Sequence, residues 1–315
     1  MFITMRALRR CAPVVLACAF AFASLFPGPL HAETYVFNKN IEISDLPKGL
    51  ERRIPTGASA EEIGALLRGQ ASLTLDGAVL NVTPPRAGSS RSLAVQKLEL
   101  RNGASIVTNG VNLEIYAQTI QSNGGAIVSF TAQGKSVAGI PPPGSSGASG
   151  LSAGTVVLFG KLQGSDVLVV SLPGQDGQSG GVGLKGPTGA QGPNGSNGSD
   201  HLFDCARGGG NGGNGARGGD GGRGGTGGSG GSGGRLILRG EIAGQRLQVD
   251  FSADGGRKGT GGVGGPGGDG GAGGRGGSGT VYCRGGSNGN SGPPGQEGEA
   301  GVSGVDGDRG AIVAD

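Results

Sequence analysis

The sequence predicts an all-β amino-terminal unit, either a β-helix or a β-sandwich, joined to a bundle of glycine-rich helices of the polyproline-II or polyglycine-II type, with little α-helix. Three observations carry this. Apolar and polar residues alternate in short segments from Leu73 onward, with Gly, Asn and Pro-Pro between them. Four stretches, Gly174–Asp200, Gly209–Arg235, Gly255–Val281 and Gly286–Ile312, carry glycine at every third position for nine triplets each, with Lys258 the single exception. Strand-like segments recur between these stretches: TVVLFGKLQG from Thr155 aligns without a gap on RLILRGEIAG from Arg235. The domains read from this are an export signal over 1–32, a β-rich domain over 33–173, and a glycine-rich bundle over 174–315 with a β-strand insert at 235–254.

The signal rests on Arg6, Arg9 and Arg10, the apolar stretch Ala12–Phe26, and the small residue Ala32 after Leu30 and His31. That stretch is too short to span a bilayer. The signal holds three arginines and no acids, so without it the 26 basic residues fall to 23 against 23 acidic ones. A net charge of zero removes the electrostatic case for nucleic acid or an anionic membrane as a partner. Cys11 and Cys18 leave with the signal, and Cys205 with Cys283 remain. Two cysteines in an exported chain make one disulfide, with two separate thiols as the alternative. The expected location is secreted or cell-surface, with the periplasm as the alternative.

After the signal, AEEIGALL over Ala60–Leu67 predicts a short helix with Ile63, Leu66 and Leu67 on one face. LTLDGAVLNV, LAVQKLEL, SIV, VNLEIYAQTI and AIVSF then read as strands. Val128–Gly134 (VSFTAQG) matches Val249–Gly255 (VDFSADG), and Asp166–Gly174 takes the equivalent place between them. The repeating unit is strand, strand, glycine-rich excursion. The first excursion, Lys135–Gly154, is short, with Gly144, Gly147 and Gly150 in phase, and Gly310–Asp315 opens a further strand.

Each long excursion holds two stretches of equal length, so each is expected to run out as one rod and back as another. The far turns then fall at His201–Gly208 and Tyr282–Gly285, and each contains one mature cysteine. A Cys205–Cys283 disulfide would tie the two tips together. His201, Leu202, Phe203 and Tyr282 gather there, either as a cap packed on the disulfide or as a contact surface for a partner.

Three backbone states compete for the triplets. Pro187, Pro193, Pro266, Pro293 and Pro294 are the only prolines in the four stretches, well below the roughly 15–20% of collagen-like chains. A flexible coil fits the composition but not the equal lengths or the tip cysteines. In a polyproline-II-type bundle, glycine at every third residue leaves one bare ridge per helix, and neighbouring backbones hydrogen-bond along it. Each stretch would then span roughly 84 Å at ~3.1 Å per residue. Stretches 209–235 and 255–281, largely Gly-Gly-X with two bare ridges, are expected inside, and 174–200 and 286–312 outside.

The triplet stretches resemble the collagen-like Gly-X-Y surface proteins of bacteria. Their Gly-Gly-X part is similar to the polyglycine-II bundles of snow flea antifreeze protein and of phage tail-fibre adhesins. The resemblance covers Gly174–Ile312 and lies in the repeat alone. It implies an extracellular structural or binding role, with ice binding as one alternative, against which the charged Lys185, Arg217, Asp220, Arg223 and Glu297 count.

No catalytic, cofactor or metal residues are assigned. His201 is the only histidine left after the signal. Gly134-Lys135-Ser136 lacks the phosphate-loop spacing, and the GGDGG segments at 218–222 and 267–271 lack the aliphatic residue of calcium-binding repeats. Asp76, Glu99 and Glu114 are scattered acids, which leaves a carbohydrate-active β-helix enzyme as a second alternative. The expectation is a non-enzymatic structural or adhesive protein acting as spacer, filament component or binding tip. Its expected partners are further copies of itself or other surface or filament proteins, with a host or glycan receptor as the alternative.

Overall fold

Wherever apolar and polar residues alternate, the computed structural model places a strand. It describes residues 32–83, 90–164 and 166–315; the signal and its cysteines lie outside these, Ala32 apart. The first sheet has seven strands in the order β1 (Thr34–Phe37), β3 (Ser72–Asp76), β5 (Arg91–Arg101), β7 (Leu113–Asn123), β9 (Thr155–Gln163), β13 (Arg235–Arg239) and β15 (Ala311–Ala314). The second has six: β14 (Val249–Ser252), β10 (Leu168–Ser171), β8 (Ala126–Val128), β6 (Ser105–Val107), β4 (Val79–Asn81) and β2 (Ile41–Glu42). Every strand pair in both is parallel. Successive strands therefore fall in opposite sheets, and the chain shuttles between them. The remaining strands, β11 (Ser199–Asp200) and β12 (Cys205–Arg207), pair antiparallel and apart from both sheets.

Leu73, Leu75, Leu98, Leu100, Ile115 and Ile120 from the first sheet and Leu80, Ile106, Ile127, Leu168 and Val170 from the second form one buried cluster. Its burial is the main driving force of this region. The expected helix forms as α1 (Ala60–Leu67). Ser59 starts it: the Glu62 N–H donates to Ser59 Oγ at 3.2 Å while the Ser59 N–H donates to Glu62 Oε2 at 2.8 Å. Ile63 and Leu67 bury against Ala94, Tyr116 and Phe159, and Leu66 packs at the edge of that smaller cluster.

Two sequence expectations are amended. RLILRGEIAG does not continue as a strand: Gly240 takes φ 73°, and the chain turns into a second helix, α2 (Glu241–Gly244). The gap-free alignment does hold in the strand itself, where Thr155 lies opposite Arg235. The VSFTAQG and VDFSADG match is not the structural register, since Val128 aligns with Ser171 and Ser171 with Ser252.

The glycine-rich segments are neither helix nor strand. They bond to one another through backbone groups at every third residue, at 2.7–3.0 Å. Segment 174–198 donates to 254–278, running parallel, from the Gly174 N–H to Asp254 O through the Gly198 N–H to Ser278 O. Segment 209–233 donates in the same parallel sense to 284–308. Between these two sets the bonds are antiparallel: the Gly231 N–H donates to Gln175 O, the Gly256 N–H to Gly231 O, and the Gly307 N–H to Gly256 O. The short excursion joins as well. Its Gly147 and Gly150 N–H groups donate to Thr226 O and Ser229 O, and its Ala148 and Leu151 carbonyls accept from the Gln178 and Gln175 N–H groups. Segment 209–235 therefore touches four others, 255–281 and 174–200 three each, and 286–312 two. The short excursion is what lifts 174–200 out of the outer class the triplet pattern suggested.

Bare ridges are required at these crossings. A Cβ added to Gly265 would overlap the Leu184 carbonyl, and one on Gly228 would overlap Ala148 O. Lys258 occupies a glycine slot facing segment 286–312, and its N–H is met by Asp306 Oδ1 at 2.8 Å, as the Gly276 N–H of the same ridge is met by Asn288 Oδ1 at 2.9 Å. Residues 33–173 and 174–315 share their sheets, because β13 and β14 pair with β9 and β10.

Candidate functional site

The far turns bring together every residue singled out there from sequence. β11 and β12 form a hairpin in which Asp200 lies opposite Cys205, and the His201 N–H donates to Asp204 O at 2.8 Å. The second turn spans Thr280–Cys283, closed by the Thr280 N–H to Cys283 O and the Cys283 N–H to Thr280 Oγ1, both at 3.0 Å. A Cys205–Cys283 disulfide joins the two turns, with Cα atoms 4.9 Å apart and 78 residues of sequence separation. Thr280 Oγ1 also donates to Asp200 Oδ1, and the Gly209 N–H to Arg284 O at 2.9 Å.

The two turns have the same plan. Each places an apolar pair at its two central positions, Leu202-Phe203 in one and Val281-Tyr282 in the other. Glycine, proline, asparagine, aspartate and serine are the usual residues there. All four side chains face solvent: Leu202 is 84% exposed, Phe203 78%, Val281 88% and Tyr282 50%. Cys283 is buried and Cys205 exposed. The apolar residues therefore do not fold over the disulfide as a cap. Val281 was not singled out from sequence, although its pairing with Tyr282 mirrors Leu202-Phe203 and would have marked it.

The neighbouring charges divide unevenly. Asp200 is engaged by Thr280, and Asp204 Oδ1 accepts from the Cys205 N–H at 2.7 Å. Arg207 makes one long contact, 3.5 Å to Asn197 O. Arg284 is exposed and makes no side-chain hydrogen bond or ion pair among the described residues. His201 is exposed beside these groups.

Elsewhere two of the candidate acids, Asp76 and Glu99, share the Arg101 guanidinium, at 3.0 and 4.0 Å. Asp76 accepts from Asn102 at 2.6 Å and Arg101 at 3.0 Å, and these contacts hold its carboxyl below the usual range. Glu99 meets Lys97 at 3.1 Å, and Glu114 meets the Tyr116 hydroxyl at 3.3 Å. Among the described residues no group of three or more His, Cys, Asp or Glu side chains is placed to hold a metal ion. No helix among them is long and apolar enough to cross a membrane.

One role was missed from sequence. Asn and Asp side chains on the segments accept backbone N–H groups of the next segment: Asn211 from Ser287 at 2.9 Å, Asn214 from Asn290 at 2.9 Å, Asp220 from Gln296 at 2.8 Å, and Asp176 from Arg257 at 2.7 Å. From sequence Asn211, Asn214 and Asp176 carry no assigned role, and Asp220 counts only as a charge against ice binding. Their recurrence at multiples of three was the available signal. No protein-family model and no curated protein matches this chain.

Proposed function

We propose that this is an exported, non-enzymatic structural or adhesive protein in which a β-helix base carries polyglycine-II-type rods that present a disulfide-tied contact tip. The β-helix reading is supported by the alternation of successive strands between two all-parallel sheets, which a sandwich of antiparallel strands does not have. The rod reading is supported by intersegment hydrogen bonds at every third residue, the period of a polyproline-II-type helix. Export is supported by the disulfide, which persists in oxidising compartments.

The observation that carries the contact role is the exposure of Leu202, Phe203, Val281 and Tyr282 at the centres of two cross-linked turns. Four large apolar side chains where turn chemistry favours polar ones is a local rule broken without a folding gain, as is expected at functional positions. The disulfide supports this reading by pre-organising the surface and so lowering the ordering cost of binding.

Beads coated with the mature protein through its base test the role by adhesion to whole cells. The Leu202→Asp/Phe203→Asp variant is expected to lose at least about tenfold in adhesion, as befits hot-spot residues, with an unchanged melting temperature. Equal adhesion by variant and parent would contradict it.

A further inference from the structure

We infer that copies of this protein stack head to tail through the open edges of their two sheets, each copy turned half a revolution about the stacking axis relative to the last. This rests on the β-helix base proposed above and goes beyond the contact tip.

Both ends of the base are unfinished. Among the described residues β1 and β2 lie at one end, β15 and β14 at the other, and none of the four has a strand on its outer side. Such edges present rows of free backbone N–H and C=O groups. The apolar core is open at the same places. Tyr35, Phe37 and Ile41 at the first end, and Val249, Phe251 and Ile312 at the second, pack against the buried cluster but are only half covered. Ile43, Leu46 and Leu50, which follow β2, are buried in that cluster without closing its end. Charge and proline, which commonly blunt an edge, are absent from β1 (TYVF) and β15 (AIVA). Glu42 on β2 and Asp250 on β14 are the only charges on the other two.

The strand count selects the partner and its orientation. The sheets hold seven and six strands, thirteen in all, and β15 has no counterpart beside β14. A copy added without rotation would set its β1 on β15 and leave a one-strand gap in the second sheet. The two sheets run in opposite directions, as do the glycine segments that join them, whose bonds across the two sets are antiparallel. A half turn therefore exchanges the sheets and keeps every pairing parallel. The next copy's β1 then lies on β14, its β2 lies on β15, and the alternation of strands continues unbroken. β14 and β1 are four residues long. Val249 and Phe251 stand opposite the buried Leu168 and Val170, and Tyr35 and Phe37 opposite the buried Leu73 and Leu75, so both strands point two apolar side chains inward. An occupant must meet both edges at the spacing of the two sheets, and a second copy has that spacing. The two ends differ, so the contact does not close on itself and yields a filament.

Electron microscopy and sedimentation of the mature protein test this. Filaments should lengthen with concentration and carry one copy per roughly 31 Å, given a strand spacing of ~4.8 Å within each sheet. The glycine rods should leave alternate sides of the filament, to within the twist of the sheets. Tyr35→Lys blocks one end and Ala314→Lys the other by bringing a charge into the joint. Each alone should raise the concentration needed for assembly at least about tenfold. Mixed in equal amounts, the two should give dimers and nothing longer, because one working end of each kind remains. Ile41→Lys takes the place of Tyr35→Lys if that variant melts below the parent. A mixture that stays monomeric, or filaments with every rod on one side, overturns the proposal. A parent that stays monomeric while its strand amides are protected from exchange overturns the stacking and leaves the β-helix base standing. Strand amides that exchange fast remove both.

Discussion

The sheets and the glycine segments follow one chain path but are filled in opposite ways. In both, the chain passes between two sets of parallel segments: 144–153, 209–234 and 286–310 enter β9, β13 and β15 of the first sheet, and 174–198 and 255–277 leave β10 and β14 of the second. Between the sheets the space is filled by Leu and Ile side chains, as the roughly 10 Å spacing of packed sheets requires. Between the two sets of glycine segments backbone meets backbone, and the side chains that enter are small or ring-closed, such as Ala216, Pro187 and Pro193. The change occurs over a few small residues: a Cβ on Gly234 would meet Ala153 Cβ at 3.1 Å and Leu172 Cβ at 2.8 Å, and one on Gly310 would meet Ala253 Cβ at 2.8 Å. The same topology is thus held by apolar burial at one end and by hydrogen bonds at the other. Glycine carries a large ordering cost, and it is offset by carbonyls that meet the N–H groups of every bare ridge but one, the ridge of 255–281 facing 286–312, where Asp306, Ser303 and Asn288 side chains accept instead at Lys258, Gly261 and Gly276.

This contrast gives the two regions opposite tolerances. The largest effect is expected from side chains added to the inner ridge. Gly265→Val should destabilise by about 4 kcal/mol or more, since its Cβ falls on the Leu184 carbonyl and its N–H serves Gly222 O. Gly64→Ala is the counter-case: nothing lies within 4 Å of the added methyl in α1. It should stabilise by up to about 1 kcal/mol through helix propensity. Thermal or denaturant melts of the two variants check the pair, and equal and small effects would remove the contrast.

A smaller effect is expected from the side-chain acceptors. Asn214→Ala leaves the Asn290 N–H without its partner and should cost about 1 kcal/mol. It should also speed amide exchange at Asn290, leaving the sheets untouched.

The smallest is a response to acid. Lys185 hydrogen-bonds to Asp269 across two segments at 2.7 Å, which holds the Asp269 carboxyl below its ordinary 3.8. A lowered folded-state pKa gives a contribution that is present above the unfolded value and is lost as pH falls below 3.8 toward the folded one. The pair is exposed, so the effect is slight and screened by salt. Asp269→Asn should flatten part of the decline in melting temperature as the solution is acidified through this window.

The glycine half was the more legible from sequence. Triplet phase fixes which ridge is bare, and equal stretch lengths with one cysteine in each far turn put Cys205 beside Cys283. The helix at Ala60–Leu67 was readable because its apolar spacing is helical. What escaped has physical causes. The turn at Gly240 depends on a positive φ that alternation does not encode. The VSFTAQG register misled because parallel pairing is set by packing between sheets and not by local similarity. The lateral acceptors Asn211, Asn214 and Asp220 look like ordinary solvated polar residues until the neighbouring segment is in place. At the tip, Leu202, Phe203 and Tyr282 were marked by composition, whereas their exposure depends on how the two turns meet.

The central claim is that hydrogen bonds between segments, made through every third backbone N–H, hold the glycine half together. Residue-resolved amide exchange of the mature protein tests it most directly. The account expects protection with a three-residue period. It should be strong at Gly256, Gly259, Gly262 and Gly265, whose N–H groups reach carbonyls, and weak at the exposed Thr260 and Val263, whose N–H groups have no carbonyl partner among the described residues. Uniformly fast exchange across 255–277, with protection confined to the sheets, would contradict it.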